Sequence, residues 1–204
     1  MIEPEGAMAR VYEYDVFISY RREGVQLPAW LRTHFYPLLV ESLDNSTDRE
    51  VKIFFDERVP GGTSWPMVLR SALSRARILV AICSPKYFTD EWCLAEWETM
   101  AQRERISGMV SPEVPLGLIY PVIFCDSETF PEFAHQRRLQ DFRPWNVSFR
   151  QYDTTIEYIR FSREVERVSV ELLQHIENAP EWRADWPVET PKPDPPGASR
   201  LPRF

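Results

Sequence analysis

The sequence predicts an α/β fold of the flavodoxin-like kind, a three-layer sandwich in which a five-stranded parallel sheet carries helices on both faces. Three observations predict it. Short apolar, β-branched runs alternate with helix-length amphipathic stretches, the third run, Ile78 to Cys83, is apolar throughout, and no internal repeat interrupts the alternation. Unbroken runs suit parallel strands, because crossover helices bury both strand faces.

The elements follow in order. Residues 1–10 read as a flexible leader. Tyr14 to Tyr20 is the first strand, and Pro28 opens a helix over Ala29 to Leu43, ended by the polar run Asp44 to Asp48. Val51 to Phe55 is the second strand. A loop with Pro60-Gly61-Gly62 leads to a helix over Trp65 to Arg75. Ile78 to Cys83 is the third strand, and Asp90 caps a helix that runs to Ile106. Leu118 to Phe124 is the fourth strand, with Pro121 predicting a distorted or edge position. A short fifth strand is expected at Trp145 to Phe149. The last helix is marked by Tyr158, Phe161, Val165, Val168, Leu172 and Ile176, which form one apolar stripe. One domain over 11–178 follows, and 179–204, with seven of the 18 prolines, reads as a disordered or extended tail.

Composition narrows the function. A net charge of -7 gives a nucleic-acid backbone no global attraction to the chain. No run approaches the roughly 20 apolar residues of a membrane span, and the N-terminus lacks a signal pattern, so a cytoplasmic protein is expected. Cys83, Cys93 and Cys125 sit in apolar stretches and read as small buried hydrophobes. His34, His135 and His175 lie far apart without metal-ligand spacing, so no metal site is expected.

In open parallel sheets ligands bind at the carboxyl ends of the strands. That directs attention to Tyr20 to Arg22, Asp56 to Trp65, Ser84 to Asp90 and the helix that follows. The glycine patterns of P-loop and Rossmann phosphate sites are missing, as is the GxSxG nucleophile elbow. A phosphoacceptor aspartate would stand at the end of the third strand, where the chain reads Cys83-Ser84-Pro85. What remains is Trp92 and Glu96, four residues apart on one helix face. Two readings stand: an aromatic plane and a carboxylate cradling a ribosylated heterocycle, or a core tryptophan and an ordinary solvated glutamate.

The order of motifs resembles the Toll/interleukin-1 receptor (TIR) domain family, over roughly residues 11–178. Tyr14-Asp-Val-Phe-Ile-Ser-Tyr20 is similar to the family's first box. Asp56-Glu-Arg-Val-Pro-Gly61 is similar to its second, and Trp92-Cys-Leu-Ala-Glu96 matches its Trp-Cys-x-x-Glu helix. Trp145 stands where a third box is expected, with Pro144 in place of the usual aromatic. The resemblance implies the enzymatic, prokaryotic-type members that cleave NAD+, with Glu96 as catalytic residue, because adaptor members usually lack that glutamate.

It further implies substrate contacts from Tyr20, Arg21, Arg22, Gly61, Gly62, Trp65 and Trp92. Arg21 and Arg22 suit a pyrophosphate or form a solvated strand end. Trp65 lines the nucleotide pocket or packs in the core. The products would be nicotinamide and ADP-ribose or a cyclic ADP-ribose, with NAD+ as substrate and no cofactor. Self-association, or contact with another TIR-containing protein through the Val59 to Gly62 loop, would switch the activity on in cell defence. The alternative the family offers is a non-catalytic adaptor acting by TIR–TIR contact.

Overall fold

The computed structural model describes residues 11–56, 65–109 and 115–191, and of Trp65 the backbone alone. Strands β1 (Tyr14–Tyr20), β2 (Ile53–Phe54), β3 (Ala76–Cys83), β4 (Ile119–Ile123) and β5 (Gln140–Asp141) pair in the order β2-β1-β3-β4-β5, and every pair is parallel. This is the flavodoxin-like sheet that the alternating pattern predicts. The two longest apolar runs, β1 and β3, take the middle, where both faces are covered. Strand order reverses between them, which puts the position where open parallel sheets take ligands beyond Tyr20 and Cys83.

Helices α1 (Gln26–Trp30) and α2 (Tyr36–Ser46) form one rod, joined by a π-helical turn over Leu31–Phe35. Pro37 explains the turn. It has no N–H to offer Thr33, and its ring crowds that carbonyl, so the chain widens and Tyr36 N–H reaches Leu31 O instead. Pro28 is tolerated because it lies in the first helical turn, where N–H groups have no intrahelical partner.

Helix α6 (Ile156–Glu177) buries Phe161, Val165, Val168, Leu172 and Ile176 along its stripe and packs against α2. Helices α3 (Trp65–Ser74) and α4 (Glu91–Ser107) lie together on the opposite face, joined by Arg103, and α5 (Glu132–His135) is a single turn. Among the described residues no helix is long and apolar enough to cross a membrane.

Pro121 is an interior residue of β4, paired with Ala81 of β3, and not at a sheet edge. Along β4, Leu118 O and Phe124 N bond to β3 while Ile123 O bonds to Phe142 N. Residue 121 therefore turns its nitrogen toward β5, whose pairing begins only at Val122, and the missing N–H breaks no bond to β3.

The fifth strand differs from expectation. It is Gln140–Asp141, and Trp145 to Phe149 is irregular between two 3₁₀ turns, Arg143–Trp145 and Arg150–Thr154. Bonds between side chains and backbone hold this segment in place of a strand ladder: Trp30 Nε1 donates to Trp145 O at 2.8 Å and Asn146 Nδ2 to Phe124 O at 2.9 Å. Two residues of edge strand leave no period to read.

The proline-rich segment assigned to a tail runs along the body from 180 to 191. Tyr12 OH donates to Pro180 O (2.8 Å), Trp182 Nε1 to Ser74 O (3.0 Å) and Glu189 N to Thr99 Oγ1 (2.8 Å). Trp186 is buried over the guanidinium of Arg103, 4.9 Å from its ring centre. Arg103 itself is fully buried and donates to Leu73 O and Ala76 O, tying α3 and β3 to α4. Isolated tryptophans between prolines supply burial without periodicity. Residues 1–10 and 192–204 lie outside the described residues.

Candidate active site

Ser84-Pro85 ends β3, a 3₁₀ turn follows at Tyr87–Thr89, and Asp90 starts α4. Asp90 Oδ1 accepts from the N–H groups of Trp92 and Cys93, both at 3.0 Å, as its place before the helix predicts. Gly108, at φ 68, closes the far end in the left-handed conformation a side chain disfavours. Replacing Asp90 with alanine is expected to lower stability by about 1 kcal/mol, read from the urea midpoint. The first turn, which carries Trp92 and leads to Glu96, would fray with it.

Glu96 is 2% exposed and faces the carboxyl end of β1. Its Oε2 accepts from Ser19 Oγ at 2.6 Å, and Ser19 Oγ lies 2.8 Å from Tyr87 OH. Ser19 spends its only proton on the carboxylate, so Tyr87 donates to Ser19 and the chain of bonds runs Tyr87, Ser19, Glu96. Arg22 approaches from the other side, its Nη2 3.7 Å from Glu96 Oε1, while its Nε donates to Asp56 Oδ2. Burial pushes the Glu96 carboxyl up to about 7; Arg22 and the Ser19 hydroxyl pull the other way and lose. Burial likewise holds the Tyr87 hydroxyl and the Cys93 thiol protonated.

The residues proposed from sequence are not all brought together. Glu96 and Arg22 converge. Arg21 donates instead to the backbone and carboxylate of Glu23. Tyr20 is buried with its ring 5.7 Å from that of Phe55 and 5.8 Å from the Arg22 guanidinium. Trp92 is half-buried against the core, and it is Glu96 that is fully buried, the reverse of the core-tryptophan and solvated-glutamate reading. Gly61, Gly62 and the side chain of Trp65 lie outside the described residues.

Three partners were not singled out from sequence as site residues: Ser19, Tyr87 and Asp56. The signal for Ser19 is its position as the one small polar residue in the stretch from Val16 to Tyr20. Tyr87 carries no such signal, because its place depends on how the turn after Pro85 folds. Asp56 ends the second strand's segment and reads as a loop acid until Arg22 is brought to it. Cys83, Cys93 and Cys125 carry no disulfide, and the first two are fully buried.

Residues 16–156 match the family model described as TIR domain. The chain belongs to the TIR domain family. Among solved structures, this TIR domain is similar to that of the Toll-related receptor TRR-2 from the lower metazoan Hydra magnipapillata. Identity is 17% with a TM-score of 0.45, over 74% of this chain and 98% of that one. It is also similar to the TIR domains of the activated Roq1 resistosome, which directly recognises the pathogen effector XopQ. Identity there is 19% with a TM-score of 0.40, over 80% of this chain and 95% of that one. No curated protein matches the TIR domain.

Proposed function

We propose that this TIR domain is an NAD+ glycohydrolase with Glu96 as its catalytic carboxylate. The observation that carries the reading is the burial of Glu96 at the carboxyl end of β1, held by Ser19 and approached by Arg22. A glutamate kept only for solubility would stay in water, because burying an ionisable group is unfavourable unless something uses it.

The chemistry needs one carboxylate. As the bond from nicotinamide nitrogen to ribose C1′ breaks, its electron pair leaves with nicotinamide, which departs neutral, and positive charge builds on the ribose ring. No acid is needed for the leaving group. Ionised Glu96 opposes the growing charge from a fixed position, where low polarity strengthens the interaction. Water then attacks C1′ and releases a proton, giving ADP-ribose; attack by the adenine ring gives a cyclic product instead. Arg22 has the fork geometry for the pyrophosphate. Assembly with a second copy, or with another TIR-containing protein, would complete the site in a cytoplasmic defence or signalling setting.

The test is incubation of purified protein with NAD+ over a range of protein concentrations, with chromatographic identification of products. Nicotinamide together with ADP-ribose or its cyclic form is expected, with a rate rising more steeply than protein concentration. No turnover at the highest concentration, or under crowding, leaves the non-catalytic adaptor as the reading. The pH profile is a separate prediction. Glu96 must be ionised to stabilise a cation, so kcat/KM is expected to rise through about pH 7 and level off above it. A profile flat from pH 5 to 9 would remove Glu96 from that role.

A further inference from the structure

Two buried carboxylates meet one guanidinium at the end of β1. Asp56, 8% exposed, follows β2, and Glu96 stands on α4; Arg22 lies between them. The sharing is unequal. Arg22 Nε makes a direct hydrogen bond to Asp56 Oδ2, whereas its Nη2 stands 3.7 Å from Glu96 Oε1, beyond hydrogen-bonding distance. The outcome is visible on the acceptors: Glu96 Oε1 is buried and receives no hydrogen bond from the described residues, and neither does Asp56 Oδ1. Ser19 occupies only the other Glu96 oxygen.

We propose that Asp56 is a positioning residue of this site, which holds the Arg22 guanidinium on its own carboxylate and so withholds it from Glu96. The inference rests on Glu96 being the working carboxylate, as argued above. Arg22 favours the charged form of whichever carboxylate it bonds, and Asp56 adds a like charge that disfavours ionisation of Glu96. Both effects of Asp56 act in one direction: they keep Glu96 basic and leave Oε1 open to a donor from the substrate, such as a ribose hydroxyl.

The other groups facing Glu96 do not reproduce this. Ser19 on β1 donates to it, and Tyr87 on the 3₁₀ turn reaches it only through Ser19. Asp90 and Cys93 share its helix; Asp90 adds a like charge as Asp56 does, but its carboxylate caps N–H groups of the helix. Among the described residues Arg22 is the cation facing Glu96, and Asp56 is the carboxylate that bonds it.

The test reads Glu96 directly, without turnover. Protein carrying carbon-13 at glutamate side-chain carboxyls is titrated by NMR, with Glu96 assigned by its loss in Glu96→Gln. In Asp56→Asn the Glu96 midpoint is expected to fall by about 1 or more, because a negative charge goes and the guanidinium is released to Oε1. Asp56→Glu, which keeps the charge and the bond to Arg22, is expected to restore the wild-type midpoint. Arg22→Met should move it up. In active preparations the acid limb of the kcat/KM profile should move with each midpoint. An unchanged or higher midpoint in Asp56→Asn, with the fold intact by near-UV circular dichroism, overturns the proposal. If Asp56→Asn fails to fold, Asp56→Ser is titrated in its place, and an unchanged or higher Glu96 midpoint there also overturns the proposal. Absence of NAD+ turnover in wild type would instead count against the glycohydrolase reading and leave these titrations interpretable.

Discussion

Replacing Glu96 with glutamine is expected to reduce NAD+ cleavage at least 100-fold and, at pH 8, to make the protein more stable than wild type. The loss of rate follows from removing a fixed charge that opposes the developing cation, an effect typically of 10²–10³ in kcat. The gain in stability follows from the same burial. Glu96 has its carboxyl at about 7 in the folded chain against an ordinary value of 4.5. Between those two values the folded state binds more protons than the unfolded one, so stability falls as pH rises through that window. Above pH 7 the folded protein carries a penalty of roughly 3 kcal/mol for holding the carboxylate ionised. Glutamine has the shape of the protonated form and never ionises. The stability difference between variant and wild type should therefore vanish below about pH 4.5 and reach its maximum above pH 7. Differential scanning calorimetry across that range measures it, and at roughly 2–4 °C per kcal/mol for a chain of this size the Tm gain at pH 8 approaches 10 °C. A glutamine variant less stable than wild type at pH 8 would mean that Arg22 and Ser19 compensate the burial, and that Glu96 is kept for structure.

Glu104→Ala is expected to have the largest effect on stability. Glu104, on α4, is almost wholly buried, but its bonds are saturated where those of Glu96 are not. Its Oε1 accepts from the N–H groups of Leu118 (2.6 Å) and Ile119 (3.2 Å), and both its oxygens accept from the Arg137 guanidinium. Arg137 in turn lies over the Trp97 ring, 5.6 Å from its centre. The group ties α4 to the start of β4 and to the residues after α5. Removing the carboxylate strands a guanidinium and two backbone N–H groups away from water, a loss of about 3–5 kcal/mol. Urea unfolding should show the midpoint falling accordingly, whereas NAD+ cleavage at low temperature should survive, since none of these atoms touches the candidate site. A loss under 1 kcal/mol would show that water enters and takes over the bonds.

The contrast between these two glutamates shows how far sequence reading reaches. Both stand on α4, eight residues apart, and both are common helix residues by type. Spacing marks neither as buried. Glu96 stood out because of the motif it closes, and Glu104 and Arg103 did not stand out at all. Arg103 is fully buried with backbone carbonyls and a tryptophan for company, an environment assembled from α3, β3 and residues beyond α6. Such burial is a property of neighbours distant in sequence, and no window along the chain contains them.

What the sequence determined by itself is the alternation of elements, the strands at Tyr14 to Tyr20 and Ile78 to Cys83, the Asp90 cap, the apolar stripe of α6 and membership of the TIR family. Each of these rests on local pattern, since period, propensity and capping act between residues a few positions apart. Tertiary structure alone decided where the fifth strand lies, that Trp182 and Trp186 fasten the chain after α6, and that Arg21 bonds Glu23 while Arg22 bonds Asp56 beside Glu96. It also decided that Ser19, Tyr87, Arg22 and Asp56 surround one carboxylate. These depend on chain segments up to 108 residues apart being brought together, and on which buried atoms then find partners. The state of Glu96, protonated or charged near neutral pH, is set at that level, by burial and by one shared arginine.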